Sequence, residues 1–390
     1  MSRRAATPQQ ESNGTWGFVT DVGEGPDGKR RQARRRGFAT KKAAQQELDR
    51  LRVNVHDNAY VAPARQSLAE YLGAWLETLP TAGRRPSTID SYKRNLEGYV
   101  IPRIGQTRLG QLTAVDLDRL YSALLADGRR LGSGGGLSPR TVRYIHTTVH
   151  KALSDAVRKK LLSNNVAEAA SPPDSKSTRP REMSWWKPAE LRTFLDFTAD
   201  ERLGPLFRVA AMTGMRRGEV CGLRWTDVDL ERSRVEVRQQ LIAVGAKHEL
   251  LFQERTKTDH GRRTIDLDPA TVATLRSVKA RQAGERLLMG VGYRDAGLVF
   301  CQPDGSPADP ESVAKVFDRR VARSKLPRIR FHDLRHTHVA HLIATGEQPL
   351  LIARRLGHAS AAFTQDRYGH LFEDAGSQAA TAVAAMVDGI

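Results

Sequence analysis

The sequence predicts a multidomain α+β protein. A small β-sheet with one helix comes first, then an all-α helical bundle, then a mixed, mostly α unit with a small antiparallel sheet. Three observations predict it. The chain has 390 residues, which fits two or three domains better than one. Apolar residues alternate near the N-terminus, follow helical spacing through residues 66–162, and mix both patterns beyond 183. A stretch rich in Pro, Ser and basic residues, Ser171 to Arg181, separates the two larger units.

The first unit, residues 1–62, begins with a polar tail. Trp16, Phe18 and Thr20 alternate as in a strand, Gly25-Pro-Asp-Gly28 is a turn, Lys29–Arg36 is a second strand, and a helix runs from Lys41 to Val53. Between Lys29 and Lys42 stand eight Lys and Arg and no acid. A charge run is ordinarily a solvated face. On so small a folded unit, eight like charges repel unless an anion neutralises them. Lys29, Arg30, Arg31, Arg34, Arg35 and Arg36 are therefore candidate contacts to DNA phosphates.

The second unit spans 63–170. Ser67-Leu-Ala-Glu70 is a capping box, and Leu68, Tyr71, Leu72, Trp75, Leu76 and Leu79 then form one apolar face. Ser87-Thr-Ile-Asp90 starts a second helix that ends at Pro102 and Gly105, and Thr113-Ala-Val-Asp116 starts a third that ends at Gly128. After a Gly-rich loop, Ser138-Pro139 starts a long helix reaching about Leu162, striped by Val142, Ile145, Val149, Leu153 and Val157. From its other faces, Arg140, Arg143 and Lys151 are candidate DNA contacts. Residues 171–182 are a linker. Joining two basic units, it suits a protein that straddles a polyanion, and equally a plain spacer.

In the last unit, residues 183–390, helices begin near Pro188 and Pro205. Val235–Arg238 is a strand that Leu241–Val244 extends, Arg263–Leu267 is another, and the pattern turns helical from Pro269 onward.

Composition narrows the function. Lys and Arg number 62 against 44 Asp and Glu, a net charge of +18, which points to a polyanionic partner. With two cysteines only, Cys221 and Cys301, a disulfide scaffold and a Cys-rich zinc module are excluded, and a reducing cytoplasm is expected. Met1–Gly14 has no apolar signal segment, and no run approaches 18 apolar residues, so no membrane association is expected. Nucleic acid is the partner to expect.

Six of the eleven histidines lie between His332 and His370. His332 and His336 have the i, i+4 spacing of a zinc pair, but Asp-Leu-Arg335 between them supplies no general base and puts a guanidinium beside any cation. His332 and Arg335, at i, i+3, suit a phosphate better. A tyrosine can act as a covalent nucleophile toward a phosphodiester, because its phenoxide leaves again on reversal. The last unit offers Tyr293 and Tyr368. Tyr368 has Arg367 and His370 beside it in sequence and His358 ten residues before. Arginine forks suit the non-bridging oxygens of a phosphoryl transition state, which makes Arg216 and Arg335 candidates for a phosphate clamp. Arg217 competes with Arg216 on sequence alone, and Lys257 reads as an ordinary turn lysine.

Thr213-Gly-Met-Arg-Arg-Gly-Glu219, Thr256-Lys-Thr258, His332-Asp-Leu-Arg-His-Thr337, Leu356-Gly-His358 and Tyr368-Gly-His370 occur in that order. Together they resemble the catalytic boxes of the tyrosine recombinases, the phage-integrase family. Residues 66–170 resemble that family's core-site-binding domain, and 14–60 the arm-site-binding domain of the lambda-type integrases. The resemblance implies Tyr368 as nucleophile, Arg216 (rather than Arg217) and Arg335 on the phosphate, Lys257 in a hairpin turn as general acid to the leaving 5′ oxygen, His332 shuttling or sharing a proton on the tyrosine and clamp side, and His358 on a non-bridging oxygen. A straight helix would space His358 and Tyr368 by about 15 Å, so the chain is expected to turn between them. Glu219 is expected to orient a cation or cap a helix; His336, His338 and His341 read as helix or interface residues. Asp266 stands where the family often has proline. The resemblance further implies no metal or other cofactor, double-stranded DNA at core and arm sites, a homotetramer on DNA docked through a C-terminal helix over 371–390, and a DNA-bending protein and an excisionase as candidate partners, in a bacterial cytoplasm at the nucleoid. A type IB topoisomerase-like relaxing enzyme and a non-catalytic DNA-binding regulator are the rival readings. The regulator predicts a broken catalytic set, and here all six positions are filled.

Overall fold

The computed structural model describes residues 6–24, 30–56, 65–129, 134–174, 183–245, 248–254 and 262–357, and beyond these Ser360, Ala362, Gln365, Tyr368, Gly369, Ala384 and Val387. The chain divides into two compact units, Met1–Pro180 and Arg181–Ile390.

The first unit opens with an antiparallel sheet of β1 (Gln9–Gln10), β2 (Trp16–Glu24) and β3 (Arg30–Phe38), in that order, followed by α1 (Lys41–His56). Phe18, Ala44 and Leu48 form its small core. Phe18 and Thr20, opposite Arg35 and Ala33, are buried by the two-residue period of the strand, while Val19 and its partner Arg34 are exposed; a bulge shifts the register between Trp16 and Phe18.

The helices α2 (Leu68–Thr78), α3 (Pro86–Asn95), α4 (Ile101–Ile104), α5 (Ala114–Asp127) and α6 (Pro139–Arg158) share one core. Ser67 and Thr113 make the capping boxes that the sequence announces. Ser87 does not. Pro86 takes the first helical position, where its missing N–H is harmless, and the helix starts one residue earlier without a side-chain cap. Nor does Pro102 end that helix. It sits in the first turn of α4, after a π-helical turn from Leu96 to Val100. The long helix α6 stops at Arg158, short of Leu162, because Lys160 turns into the left-handed region at φ 55°. Trp75 donates its indole N–H to Asp155 of α6 at 2.9 Å, and the Tyr71 hydroxyl donates to the Ala152 carbonyl at 2.6 Å.

The second unit contains α7 (Pro188–Phe197), α8 (Gly204–Thr213), α9 (Arg217–Cys221), β4 (Val228–Asp229), β5 (Arg234–Val237), β6 (Gln239–Val244), β7 (Glu249–Glu254), β8 (Arg263–Asp266), α10 (Pro269–Met289), α11 (Pro310–Ser324), α12 (Asp333–Ala344) and α13 (Pro349–Leu356). An aromatic cluster of Trp186, Phe194, Phe207, Phe317 and Phe331 lies at its core. One sheet runs β4-β5-β8 and a separate hairpin pairs β6 with β7. The second half of the expected strand, Leu241–Val244, therefore belongs to a different sheet from Val235, the two parting at Arg238. Lys257 lies outside the described residues. The turn expected to carry it lies there too, between β7 and β8.

Candidate active site

Arg216 precedes α9, and Glu219 sits in that helix's first turn. Glu219 is completely buried. It accepts the backbone N–H of Arg216 at 2.8 Å and the Arg216 Nη1 at 2.9 Å. Arg263 of β8 reaches the same carboxylate with Nη2 at 2.8 Å and Nη1 at 3.3 Å. Glu219 thus caps its helix and binds two guanidinium groups at once. Arg216 keeps a third of its side chain in solvent, while Arg217, the competing candidate, begins α9 itself.

Arg335 lies in the first turn of α12 and is 4% exposed. Its Nη1 donates to the carbonyl of Gly214 at 2.7 Å and its Nη2 to that of Leu356 at 2.8 Å. Both acceptors sit at helix C-termini, of α8 and α13, where carbonyls lack helical partners and the dipole favours a cation. Gly214 is required there. Its φ is +64°, and a Cβ would stand 2.7 Å from Leu356 Cδ2 and 2.9 Å from His338 Cδ2. Burial first, then the positive charges of Arg216 and Arg263, push the Arg335 pKa down to about 9, against the pull of Glu219 and Tyr368. It remains protonated at neutral pH. Three arginines thus crowd around one carboxylate, an arrangement that an incoming phosphate would relieve.

His332 immediately precedes α12 and is exposed. Desolvation, and then the charge of Arg335, lower its pKa below the ordinary histidine value. His336, one turn on, meets it edge to face at 5.3 Å between ring centres. The ring of His336 carries its Nδ1 to within 2.6 Å of the Tyr368 hydroxyl. Tyr368 is 2% exposed and packs on Val339, Ile343, Ile352 and Leu356. The other tyrosine of this unit, Tyr293, stands 3.7 Å from the Cys301 Sγ with Arg286 over its ring. The structure thus gathers Arg216, His332, Arg335 and Tyr368; Lys257 and His358 fall outside the described residues.

The other histidines of α12 hold the site's walls. His341 Nε2 lies 3.0 Å from the Trp186 carbonyl. His338 Nε2 accepts from Arg355 Nε at 3.1 Å. Burial, then Arg355, drives the His338 pKa down to about 3. Arg355 in turn offers its carbonyl to Arg263 Nε at 2.7 Å, which ties α13 to β8.

Among the candidate DNA contacts, Arg31, Arg34, Arg140 and Arg143 are exposed, with Arg143 donating to the Pro173 carbonyl at 2.8 Å. Arg30 pairs with Asp21 and Arg36 with Glu11. Arg35 is half-buried, and Lys151 pairs with Asp155 at 3.1 Å. Lys29 lies outside the described residues.

The phage integrase family matches residues 185–374, an arm DNA-binding domain matches 9–55, and the N-terminal SAM-like domain of phage integrases matches 67–125. An integrase of Streptomyces ambofaciens is 28% identical over 365 residues, 92% of this chain and 90% of that one. The fold matches the Tn1549 transposon integrase bound to a circular intermediate DNA, with a TM-score of 0.61 and 17% identity over 77% of this chain and 94% of that one. It also matches a lambda integrase tetramer bound to a Holliday junction, with a TM-score of 0.53 and 14% identity over 91% and 96% of the two chains. Residues 185–374 thus belong to the phage integrase family, the tyrosine recombinases, which cleave and rejoin DNA strands.

Two outcomes follow from the site's electrostatics. Replacing Glu219 by alanine leaves two guanidinium groups without their buried counter-charge, and should cost about 3–5 kcal/mol in urea unfolding. A loss within ~0.5 kcal/mol would mean that the carboxylate does not hold the cluster. For His338, the unfolded ring takes up a proton near pH 6.5 while the folded ring resists until about 3. Stability is therefore whole above pH 6.5 and falls as the pH drops below it. Melting temperatures from pH 7.5 to 5 should fall more steeply for the wild type than for His338→Gln; equal slopes would contradict the neutral, buried ring.

Proposed function

We propose that this chain is a site-specific integrase that cuts DNA through Tyr368, holds the 3′ end as a phosphotyrosine, and exchanges strands through a Holliday junction to integrate and excise a phage or other mobile element. The observation that carries this is the placing of the Tyr368 hydroxyl on the residue next to Arg335, at the edge of the guanidinium cluster. In this reading the attacked phosphate sits on Arg216 and Arg335, which bind its non-bridging oxygens and the charge that grows there in the transition state. His332 and His358 add hydrogen bonds to the same group. Lys257 protonates the departing 5′ oxygen, since an alkoxide is a poor leaving group without a proton. No step calls for a metal or other cofactor.

The same reading divides the chain into an arm-site domain at 1–62, a core-site domain at 63–170, a linker at 171–182 and the catalytic domain at 183–390. Arg31, Arg34, Arg140 and Arg143, being exposed, suit DNA phosphates best. Lys151, already paired with Asp155, suits them least. The chain would act as a homotetramer on DNA, linked through its C-terminal residues, in a bacterial cytoplasm, with a DNA-bending protein and an excisionase as its helpers. Among the described residues no helix is long and apolar enough to cross a membrane. The arm-domain match at 9–55 favours an integrase over a monomeric relaxing enzyme.

On nicked duplexes from the DNA flanking its gene, wild-type protein should give a covalent band in a denaturing gel, while Tyr368→Phe should bind equally and give none. A wild-type level of adduct from Tyr368→Phe would move the nucleophile elsewhere. Lys257→Ala should cleave ~10²–10⁴-fold more slowly and regain its rate when sulfur replaces the bridging 5′ oxygen. No recovery would remove Lys257 from the general-acid role.

A further inference from the structure

The attack needs somewhere for the phenol's proton to go. A free phenol loses its proton near pH 10, so at neutral pH the nucleophile is inert without a base at hand. The resemblance implies that His332 shares a proton on the tyrosine and clamp side, and the Tyr368 hydroxyl is hydrogen-bonded to His336. We infer that His336 is a catalytic residue of this chain, the base that takes the Tyr368 proton as the phenol attacks the phosphate.

Three features carry this inference. His336 Nδ1 is 2.6 Å from the Tyr368 oxygen, a short hydrogen bond between two side chains at 5% and 2% exposure. His336 follows Arg335 in α12, so one helical turn presents the phosphate clamp and the base together. His332 meets His336 edge to face at 5.3 Å, and the Tyr368 ring lies 5.7 Å from His336 between ring centres. Asp333, one turn before His336 and held ionised by Arg330 against its burial, lies near enough for its charge and that of a protonated His336 to attract.

The step balances. The Tyr368 O–H bond breaks and its proton moves to Nδ1, which accepts it in the tautomer that carries hydrogen on Nε2. The phenolic oxygen bonds to phosphorus, the bond from phosphorus to the 5′ oxygen breaks, and that oxygen takes a proton from the general acid. Rejoining runs the same transfers backwards, His336 returning the proton to the phenoxide as it leaves.

The inference rests on the recombinase reading, and the test separates the two. Single-turnover adduct formation on the nicked flanking DNA, at saturating protein, would be compared for wild type, Tyr368→Phe, His336→Asn and His336→Ala. Asparagine keeps an acceptor near the Nδ1 position but cannot take the proton. DNA binding and melting temperature report whether each variant folds. Both His336 variants should slow adduct formation by ~10²–10⁴-fold, and added imidazole should restore His336→Ala. Wild-type speed in His336→Asn would reduce His336 to holding the phenol, and a slow His336→Ala that imidazole leaves unchanged would give the residue a structural role; either overturns the inference. Absence of adduct from wild type itself would sink the recombinase reading, and the base with it.

Discussion

The site depends on one carboxylate with no exposed surface. Glu219 faces Arg216 and Arg263, with Arg335 close enough to feel both of those arginines. Three like charges in a poorly solvated space repel by several kcal/mol, far more than they would in water. Glu219 offsets part of that and fixes the geometry of what remains. The cluster keeps a surplus of positive charge after Glu219 is counted, and that surplus is what a phosphodiester would neutralise.

The backbone completes the restraint. Arg335 is held between the carbonyls of Gly214 and Leu356, each at the end of a helix, and Arg263 takes the Arg355 carbonyl one residue earlier. Helix ends with unsatisfied carbonyls become the sockets of the guanidinium groups. A clamp fixed in this way needs little rearrangement when its ligand arrives, which is the condition under which electrostatic stabilisation accelerates a reaction most. Arg216 differs, since a third of it stays in solvent, and it is the arginine most accessible to an incoming strand.

Much of this was legible in the sequence, and the reasons are local. The capping boxes at Ser67 and Thr113 and the Pro139 start are encoded within four residues, and the structure keeps them. The start at Ser87 misleads because the neighbouring Pro86 meets the helix's needs first. The Leu241–Val244 segment misleads because alternation tells which residues form a strand, not which partner it takes. Ordered boxes reveal Arg216, Arg335 and Tyr368, since spacing in sequence is all such a pattern requires. The bond between His336 and Tyr368 is different: it joins residues 32 apart, and no period or motif connects them. The adjacency of His336 to Arg335 was the available signal, and it reads just as well as helix packing.

The central claim is that the charge cluster delivers a DNA phosphate to one tyrosine of its own chain. The most direct measurement is to digest the covalent protein–DNA complex, formed in the presence of a chelator, and find by mass spectrometry which peptide carries the nucleotide. The account predicts a nucleotide on Tyr368. A nucleotide on Tyr293, or bound DNA that never becomes attached, would contradict it.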